Sequence, residues 1–151
     1  MDTRRGTTKN YGGSFEVPLD IGPEGYTPKT FVMKEKIGDM MKYALPLLDK
    51  FPRRSMKLAD TLRNSLIETY RLAIYVERGI SRKTNLQKID AEIATIKEFV
   101  IIASDRDYYG EKFAPPLTIH ERETWAKMND EIGRLVGGYI RALDAQTKNK
   151  K

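Results

Sequence analysis

Apolar residues recur at steps of three and four positions in four long segments of this chain, and glycine or proline separates each segment from the next. This spacing places apolar side chains along one stripe of a helix, whereas a half-buried strand needs strict alternation. Four such segments with short connections predict an all-α fold, an antiparallel up-down-up-down four-helix bundle. The pattern also predicts the organisation of the chain: an irregular N-terminal arm over 1–26, the bundle over 27–147 and a basic tail over 148–151.

Local signals predict where the helices begin and end. Thr27 is followed by proline, as is typical of a helix start, so the first helix is predicted to begin there. Gly79 predicts the end of the second helix, because glycine readily adopts the left-handed conformation that follows many helices. Thr84 and Thr118 are each followed three residues later by Gln or Glu. These capping boxes predict the starts of the third and fourth helices.

The arm over 1–26 differs from the rest of the chain. It contains five glycines and two prolines and has no sustained apolar period, which indicates an irregular or disordered segment. Within it, the stretch 14–21 (SFEVPLDI) alternates polar and apolar residues, as a short strand or an extended docking peptide does. Pro18 argues against a central strand, because proline cannot donate to a ladder of hydrogen bonds.

The composition offers little for catalysis. There is no cysteine, and His120 is the only histidine, so neither a thiolate nor a histidine-rich metal site can form within one chain. No phosphate-binding loop or dinucleotide fingerprint occurs. The sequence therefore predicts a protein that is not an enzyme and binds no metal or cofactor. It also lacks an apolar run long enough for a membrane span or a secretory signal, which predicts a cytoplasmic protein without a membrane partner.

Positive charge is concentrated in one part of the chain. The whole sequence has 27 basic and 21 acidic residues, a net charge of +6. Residues 50–88 alone contain ten basic and three acidic residues, a net charge of +7, and such a field attracts polyanions. A solvated basic helix face is the alternative that charge alone leaves open. Nothing in the sequence resembles a motif that reads bases.

Two groups of basic residues stand out at opposite ends of the second helix. We call Arg53, Arg54 and Lys57 the first basic cluster, and Arg78, Arg82 and Lys83 the second. Their separation of about 35 Å by helical rise suits an extended nucleic acid better than one small phosphate. For the second cluster, the alternative is that its charges complement the C-terminal dipole of the helix. The full set of predicted nucleic-acid contacts is Arg53, Arg54, Lys57, Arg71, Arg78, Arg82, Lys83, Lys97 and Arg141.

The second helix has more apolar surface than one neighbour would cover. Ile67, Tyr70 and Ile74 extend the apolar arc beyond the width of about 100° that a surface helix needs. This surplus predicts a second partner for the helix, either another helix of the bundle or another subunit.

The fourth helix contains three glycines, Gly133, Gly137 and Gly138. Each glycine costs a helix about 1 kcal/mol relative to alanine, so three of them within six positions need a compensating gain. We therefore expect all three to permit close approach of the backbone to a neighbouring helix.

Two stretches of the chain resemble one known family. The stretch 43–53 (YALPLLDKFPR) is similar to the end of the first helix in the Avd family, the accessory variability determinants of diversity-generating retroelements. The stretch 130–140 (DEIGRLVGGYI) is similar to the last helix of that family, which has Glu, an aliphatic residue, Gly-Arg, two aliphatics, Gly, a small residue, an aromatic and Ile. Tyr139 stands where tryptophan is expected. The resemblance covers roughly 33–145.

This resemblance implies a function that the residue pattern alone does not. Avd-like proteins are four-helix bundles that assemble as barrel-shaped homopentamers with a basic surface for nucleic acid. They bind the element's reverse transcriptase and its template-region RNA, and they support mutagenic retrohoming, in which errors in the cDNA diversify a variable gene. The resemblance thus implies a reverse transcriptase and RNA, or DNA, as partners of this chain.

Two other interpretations remain at this point. The bundle proteins encoded in intervening sequences of ribosomal RNA genes form a sister family with the same architecture. A related alternative is a four-helix adaptor whose basic face binds an acidic protein, without any reverse transcriptase. An enzyme would need a site assembled between subunits, and the sequence offers no nucleophile and base for it.

Overall fold

The structure, a computed structural model, describes residues 31–149 of the chain. Over this range it has four α-helices and no strand: α1 (Val32–Asp49), α2 (Met56–Glu77), α3 (Arg82–Ser104) and α4 (Ile119–Asn149). Short 3-10 turns cover Arg53–Ser55 and Arg106–Tyr108. The prediction of an all-helical protein with four helices is confirmed. The predicted arm over 1–26, the predicted start at Thr27 and the last two residues of the tail lie outside the described range.

Each helix packs against two others. The helix α2 contacts α1 and α3, and α4 also contacts α1 and α3. Lys34 near the start of α1 pairs with Glu77 at the end of α2, with 2.6 Å between the charged atoms. Lys83 at the start of α3 pairs with Asp144 near the end of α4, also at 2.6 Å. The starts of α1 and α3 therefore lie beside the ends of α2 and α4.

One apolar core fills the space between the four helices. Its largest fully buried side chains are Trp125, Phe31, Met33, Ile37, Met40, Leu48, Leu62, Leu66, Leu86, Ile89 and Ile96. All of them except Phe31 lie within the four helices, where helical period turns an apolar side chain to the core every three or four residues. None of the helices between residues 31 and 149 is both long and apolar enough to cross a membrane.

Within the described residues, the first helix begins at Val32. Phe31, the residue before it, has an extended backbone and a side chain that is 1% exposed. Its ring stacks on Tyr139 of α4, with 5.9 Å between the ring centroids. Burying this aromatic ring against α4 offsets the missing side-chain cap, so tertiary packing sets the helix start.

The join between α2 and α3 follows one prediction and contradicts another. Gly79 has a φ of 78°, its N–H donates to Val76, and the next N–H donates to Tyr75, a Schellman motif that ends α2 as predicted. The third helix, however, starts at Arg82, so Thr84 is not its N-cap. Instead, Asn85 is buried and its side-chain Nδ2 donates to the carbonyl of Ile80 at 2.8 Å.

The capping box at the start of α4 is confirmed. The backbone N–H of Glu121 donates to Thr118 Oγ1 at 3.1 Å, and the backbone N–H of Thr118 donates to Glu121 Oε1 at 3.0 Å. Just before it, the N–H of Leu117 donates to the carbonyl of Ala103 at 3.1 Å. This bond ties the loop to the end of α3. The start of α4 is therefore fixed both locally and across the bundle.

Replacing Thr118 with alanine is expected to lower the free energy of unfolding by about 1 kcal/mol, because the N–H of Glu121 loses its acceptor. Urea denaturation followed by far-UV circular dichroism measures this loss. Thr118→Ser, which keeps the hydroxyl, serves as the control and should recover most of the stability. Equal losses in both variants would contradict the capping role.

Candidate nucleic-acid interface

The first basic cluster lies on a tight turn between α1 and α2. Pro52 has an extended backbone, and its carbonyl accepts a bond of 2.8 Å from the N–H of Ser55. This bond closes the 3-10 turn that carries Arg53 and Arg54, and Lys57 follows in the first turn of α2. All three basic side chains are exposed. The turn thus presents three cations within five residues to solvent.

The nearest carboxylates in the chain are already engaged elsewhere. Arg63 of α2 binds both Asp49, at 2.9 Å, and Asp60, at 2.7 Å. Among the described residues, no ion pair involves a member of the first basic cluster. Because Arg63 binds these two acids, the three exposed cations keep their charge available for an external anion.

Tertiary structure brings the loop between α3 and α4 to this cluster. The guanidinium carbon of Arg54 lies 3.8 Å from the ring centroid of Phe113, a cation–π contact. The exposed Lys112 precedes Phe113, so this loop adds a cation that the sequence did not single out. The loop also carries Asp107 and Glu111. The positive potential at this end therefore comes mainly from the join between α1 and α2.

The loop is held in place by Tyr109. Its hydroxyl donates to the carbonyl of Ile102 at 3.0 Å, while the neighbouring Tyr108 is 61% exposed. Burial, and to a lesser degree the charge of Asp105, raises the pKa of Tyr109 above its ordinary value of 10.0. The neutral phenol is thus the form that the folded loop favours.

Tyr109→Phe is expected to lower the free energy of unfolding by about 1 kcal/mol at neutral pH, because it removes the bond to Ile102. A raised pKa means that the folded state holds the proton more tightly. The stabilisation is therefore complete below pH 10.0 and is lost as the pH rises through the folded pKa. Urea denaturation between pH 7 and pH 11 should show this alkaline decline in the wild type and in Tyr108→Phe. If the alkaline decline in stability persisted in Tyr109→Phe, it would come from other tyrosines.

The second basic cluster is partly engaged within the bundle. Arg82 is half-buried, and its Nε donates to the carbonyl of Val76 at 3.1 Å, near the end of α2. Lys83 forms the ion pair with Asp144. Arg78 is exposed and has no ion pair with a described residue. Interaction with the C-terminal end of α2, the alternative weighed from the sequence, therefore accounts for Arg82 but not for Arg78.

Arg71 is also engaged on its own helix. It binds both carboxylate oxygens of Glu68, at 2.9 and 2.5 Å, and donates to the hydroxyl of Tyr75 at 2.7 Å. The hydrogen bonds with Glu68 raise the pKa of Arg71 and lower the pKa of Glu68. An incoming phosphate would have to compete with this carboxylate.

The last two predicted contacts lie elsewhere on the bundle. Lys97 is exposed on α3, beside α4, and has no ion pair with a described residue. Arg141 is exposed near the end of α4, where its guanidinium folds back along its own helix. The structure thus does not bring the nine predicted cations to a single surface.

The three α2 residues predicted for packing or assembly have different surroundings. Ile67 is 54% exposed, whereas Ile74 is half-buried. Tyr70 packs against Gly38 of α1, with a ring carbon 3.8 Å from where a Cβ of that glycine would stand. Ile67 is thus the member of this set most available to another subunit.

The three glycines of α4 do not share one role. Gly133 faces Ile93 of α3, 3.8 Å from where its Cβ would stand, so it permits close packing of α3 on α4 as expected. At Gly137 and Gly138, no helix of residues 31–149 makes such an approach, and the nearest side chain is that of Arg141 on the same helix. Nη1 of Arg141 lies 3.3 Å from where a Cβ of Gly137 would stand, and Nη2 lies 3.9 Å from that of Gly138.

The three glycines differ because they lie on different sides of α4. Gly133 lies on the side of α4 that meets α3, whereas Gly137 and Gly138 lie under the long side chain of Arg141, one turn further along. Within residues 31–149, no neighbouring helix comes within 4 Å of a Cβ built at Gly137 or Gly138. These two glycines therefore leave room for a guanidinium and not for a second helix of the same bundle.

The described residues contain no group of three or more histidine, cysteine or acidic side chains placed to hold a metal ion. His120 is exposed in the first turn of α4. What residues 31–149 do present is an exposed cationic turn on a helical bundle, and its chemistry is that of anion binding.

Comparison with known proteins assigns the family. A family model described as bAvd-like matches residues 31–143, which include all four helices up to the last turns of α4. No curated protein gives a significant match to the sequence. The match covers most of the chain and agrees with the resemblance carried by the stretches 43–53 and 130–140. The chain belongs to the bAvd-like family.

Proposed function

We propose that this protein is a non-catalytic accessory protein of a diversity-generating retroelement. It binds the element's reverse transcriptase and template RNA and supports mutagenic cDNA synthesis and retrohoming. The observation that carries this proposal is the first basic cluster, which is exposed and unpaired among the described residues, in a chain of the bAvd-like family.

The cluster suits a nucleic-acid backbone. Two arginines and a lysine on one turn offer several donors to phosphate oxygens, and arginine binds phosphate with a planar, two-pronged geometry. Binding of this kind follows backbone charge and not base sequence.

The remaining predicted cations contribute unequally in this proposal. Arg78, Lys97 and Arg141 extend the contacts along the bundle. The other three contribute less, because each already has a partner within the chain; they are Arg71, Arg82 and Lys83.

The proposed assembly is a homopentamer of antiparallel up-down-up-down bundles. The pairs between Lys34 and Glu77 and between Lys83 and Asp144 support the antiparallel order within each bundle. The exposed Ile67 supports an additional apolar contact outside the bundle. A ring of five copies would repeat the first basic cluster five times, which multiplies the affinity for one long RNA.

The proposal is tested by titrating a structured RNA and a length-matched duplex DNA into the protein across a salt series. The protein is sized by light scattering in the same buffers. A pentamer whose affinity falls steeply with salt supports the proposal. A monomer that binds neither nucleic acid would overturn it.

A second candidate is a four-helix adaptor, or a ribosomal-RNA intervening-sequence protein, without a reverse transcriptase partner. The internal engagement of Arg71, Arg82 and Lys83 favours it, because this reduces the basic surface below what the sequence suggests. The two candidates differ in gene neighbourhood and in binding. Only an Avd-type accessory protein should lie beside a reverse transcriptase gene and co-purify with that enzyme.

A further inference from the structure

An apolar cleft lies between α3 and α4, on the side of the bundle away from α1 and α2. Its volume is about 300 Å³, and we call it the α3/α4 cleft. The lining is mostly apolar and includes Ile96, Ile101 and Trp125. Two cations, Lys97 and Arg122, and one acid, Glu123, also line it. Ile101 is 40% exposed, so the cleft leaves apolar surface uncovered by any described residue.

Two buried polar atoms beside this cleft have no hydrogen-bond partner among residues 31–149. They are Nε1 of Trp125, whose side chain is fully buried, and Oδ1 of Asn129, which is 2% exposed. The other end of the Asn129 amide is satisfied, since Nδ2 donates to the carbonyl of Ile93 at 3.0 Å. Buried polar groups in folded proteins are almost always bonded. One donor and one acceptor are therefore open to a partner that is not among residues 31–149, either a water molecule or another part of the chain.

We propose that residues 14–21 of the same chain occupy the α3/α4 cleft as an extended peptide. A peptide backbone supplies both missing groups, a carbonyl for the indole N–H of Trp125 and an N–H for Oδ1 of Asn129. These two residues are four positions apart on α4, so their Cβ atoms lie on one face about 6 Å apart. Groups two residues apart on an extended chain, which rises about 3.3 Å per residue, have a similar spacing.

The side chains of this stretch also fit the cleft. Its four apolar residues alternate, so an extended peptide would turn them to the same side; they are Phe15, Val17, Leu19 and Ile21. The lining residues cover about 10 Å of α4, so the cleft takes two neighbouring apolar side chains of the four. Glu16 and Asp20 would lie on the other side, towards solvent, and need no burial. Pro18 is compatible, because a docked peptide needs only a few of its backbone donors.

The chain is long enough to make this connection. Phe31 is anchored on Tyr139, and Asn129 lies ten positions before Tyr139 on α4, about 15 Å along the helix. The ten residues from Ile21 to Phe31 span up to about 33 Å when extended. The segment can therefore reach Trp125 and Asn129 of its own bundle. This inference stands on the cleft and not on the proposed function.

The first test uses the fact that Trp125 is the only tryptophan of the chain. Its indole N–H gives a single cross-peak in a ¹⁵N–¹H spectrum of the full-length protein. The double variant Phe15→Ser/Leu19→Ser should shift this peak and speed exchange of the indole proton by about tenfold, because the backbone acceptor is lost. Tyr11→Ser, in the same arm but outside the segment, should leave the peak unchanged. An indole signal unaltered by the double variant would overturn the proposal.

A second test measures the contact itself. The chain has no cysteine, so cysteines introduced at Ala126, which lines the cleft, and at each apolar position of 14–21 in turn form an unambiguous pair. At least one pair should oxidise to an intrachain disulfide, which needs Cα atoms within about 7 Å. Asn64→Cys, exposed on α2, which packs against α1 and α3, replaces Ala126→Cys in the control and should not react. Failure of every pair, or disulfide-linked dimers only, would overturn the proposal, and dimers would assign the cleft to a second copy.

Discussion

Replacing Arg53, Arg54 and Lys57 together with alanine is expected to weaken nucleic-acid binding by on the order of 100- to 500-fold at 0.1 M salt. Each phosphate contact contributes about 0.7 (single strands) to 0.9 (duplex) to the slope of log affinity against log salt. Removing three contacts should therefore make that slope shallower by about 2.1 to 2.7. Fluorescence anisotropy with a labelled RNA and a labelled duplex, between about 0.05 and 0.3 M salt, measures both quantities.

The matched control is the triple variant Lys42→Ala/Lys88→Ala/Lys127→Ala. It removes three exposed lysines from other parts of the surface and lowers the net charge from +6 to +3, as the first variant does. If the first basic cluster is the interface, the control should lose less than about tenfold in affinity, since long-range charge alone is screened at this salt. Equal losses in the two variants would mean that net charge, and not the turn between α1 and α2, determines binding.

Replacing Trp125 with alanine is expected to lower the free energy of unfolding by about 3–5 kcal/mol. Trp125 is the largest of the fully buried side chains, and its removal leaves a cavity between α3 and α4 that the rigid helices fill only in part. Small domains have a free energy of unfolding of about 5–15 kcal/mol, so this substitution removes a large fraction of it. Urea or guanidinium denaturation followed by circular dichroism measures it.

Ile119→Ala is the control on the same helix. Ile119 is 51% exposed in the first turn of α4, so its truncation should change stability by no more than about 0.5 kcal/mol. A loss below about 1 kcal/mol for Trp125→Ala would indicate that α3 and α4 close over the vacated space. The same result would argue that the α3/α4 cleft is already loosely packed.

The apolar period predicted the four helices well because helical geometry is local. In α1, the buried residues Met33, Ile37, Met40, Ala44 and Leu48 recur at steps of three and four positions, and Gly79 ends α2 as its sequence context indicates. The capping box at Thr118 also forms, since its two hydrogen bonds join residues only three positions apart. The similar box at Thr84 does not cap α3. There the Schellman motif and the side chain of Asn85 accompany an N-cap at Ser81, three residues earlier.

The glycines of α4 show what could not be predicted from local sequence. The cost of a glycine in a helix is a local property, and it correctly marked three positions as unusual. Which neighbour uses the space is a tertiary property: α3 uses it at Gly133, whereas among residues 31–149 the side chain of Arg141 does so at Gly137 and Gly138. The spacing of the three residues in the sequence carries no information on this difference.

The candidate interface was predictable only in part. The sequence identified the first basic cluster from charge density, and the structure places all three of its side chains in solvent. It could not show that Arg63 binds the neighbouring acids, or that Arg82 donates to the end of α2, because such partners depend on where the chain turns. No sequence pattern marked Lys112 as part of the interface. The loop that carries Lys112 lies beside the first basic cluster through the contact between Arg54 and Phe113.

The helical class, the buried stripes and the concentration of positive charge were predictable from the sequence, since each depends on residue type and on spacing within a few positions. The family was also predictable, because the stretches 43–53 and 130–140 that resemble it are short and local in sequence. Tertiary structure alone decided which cations remain unpaired, which glycine faces another helix, and where Trp125 and Asn129 leave polar atoms beside an apolar cleft. These properties depend on contacts between residues far apart in the chain, and their energies exist only once the helices have packed.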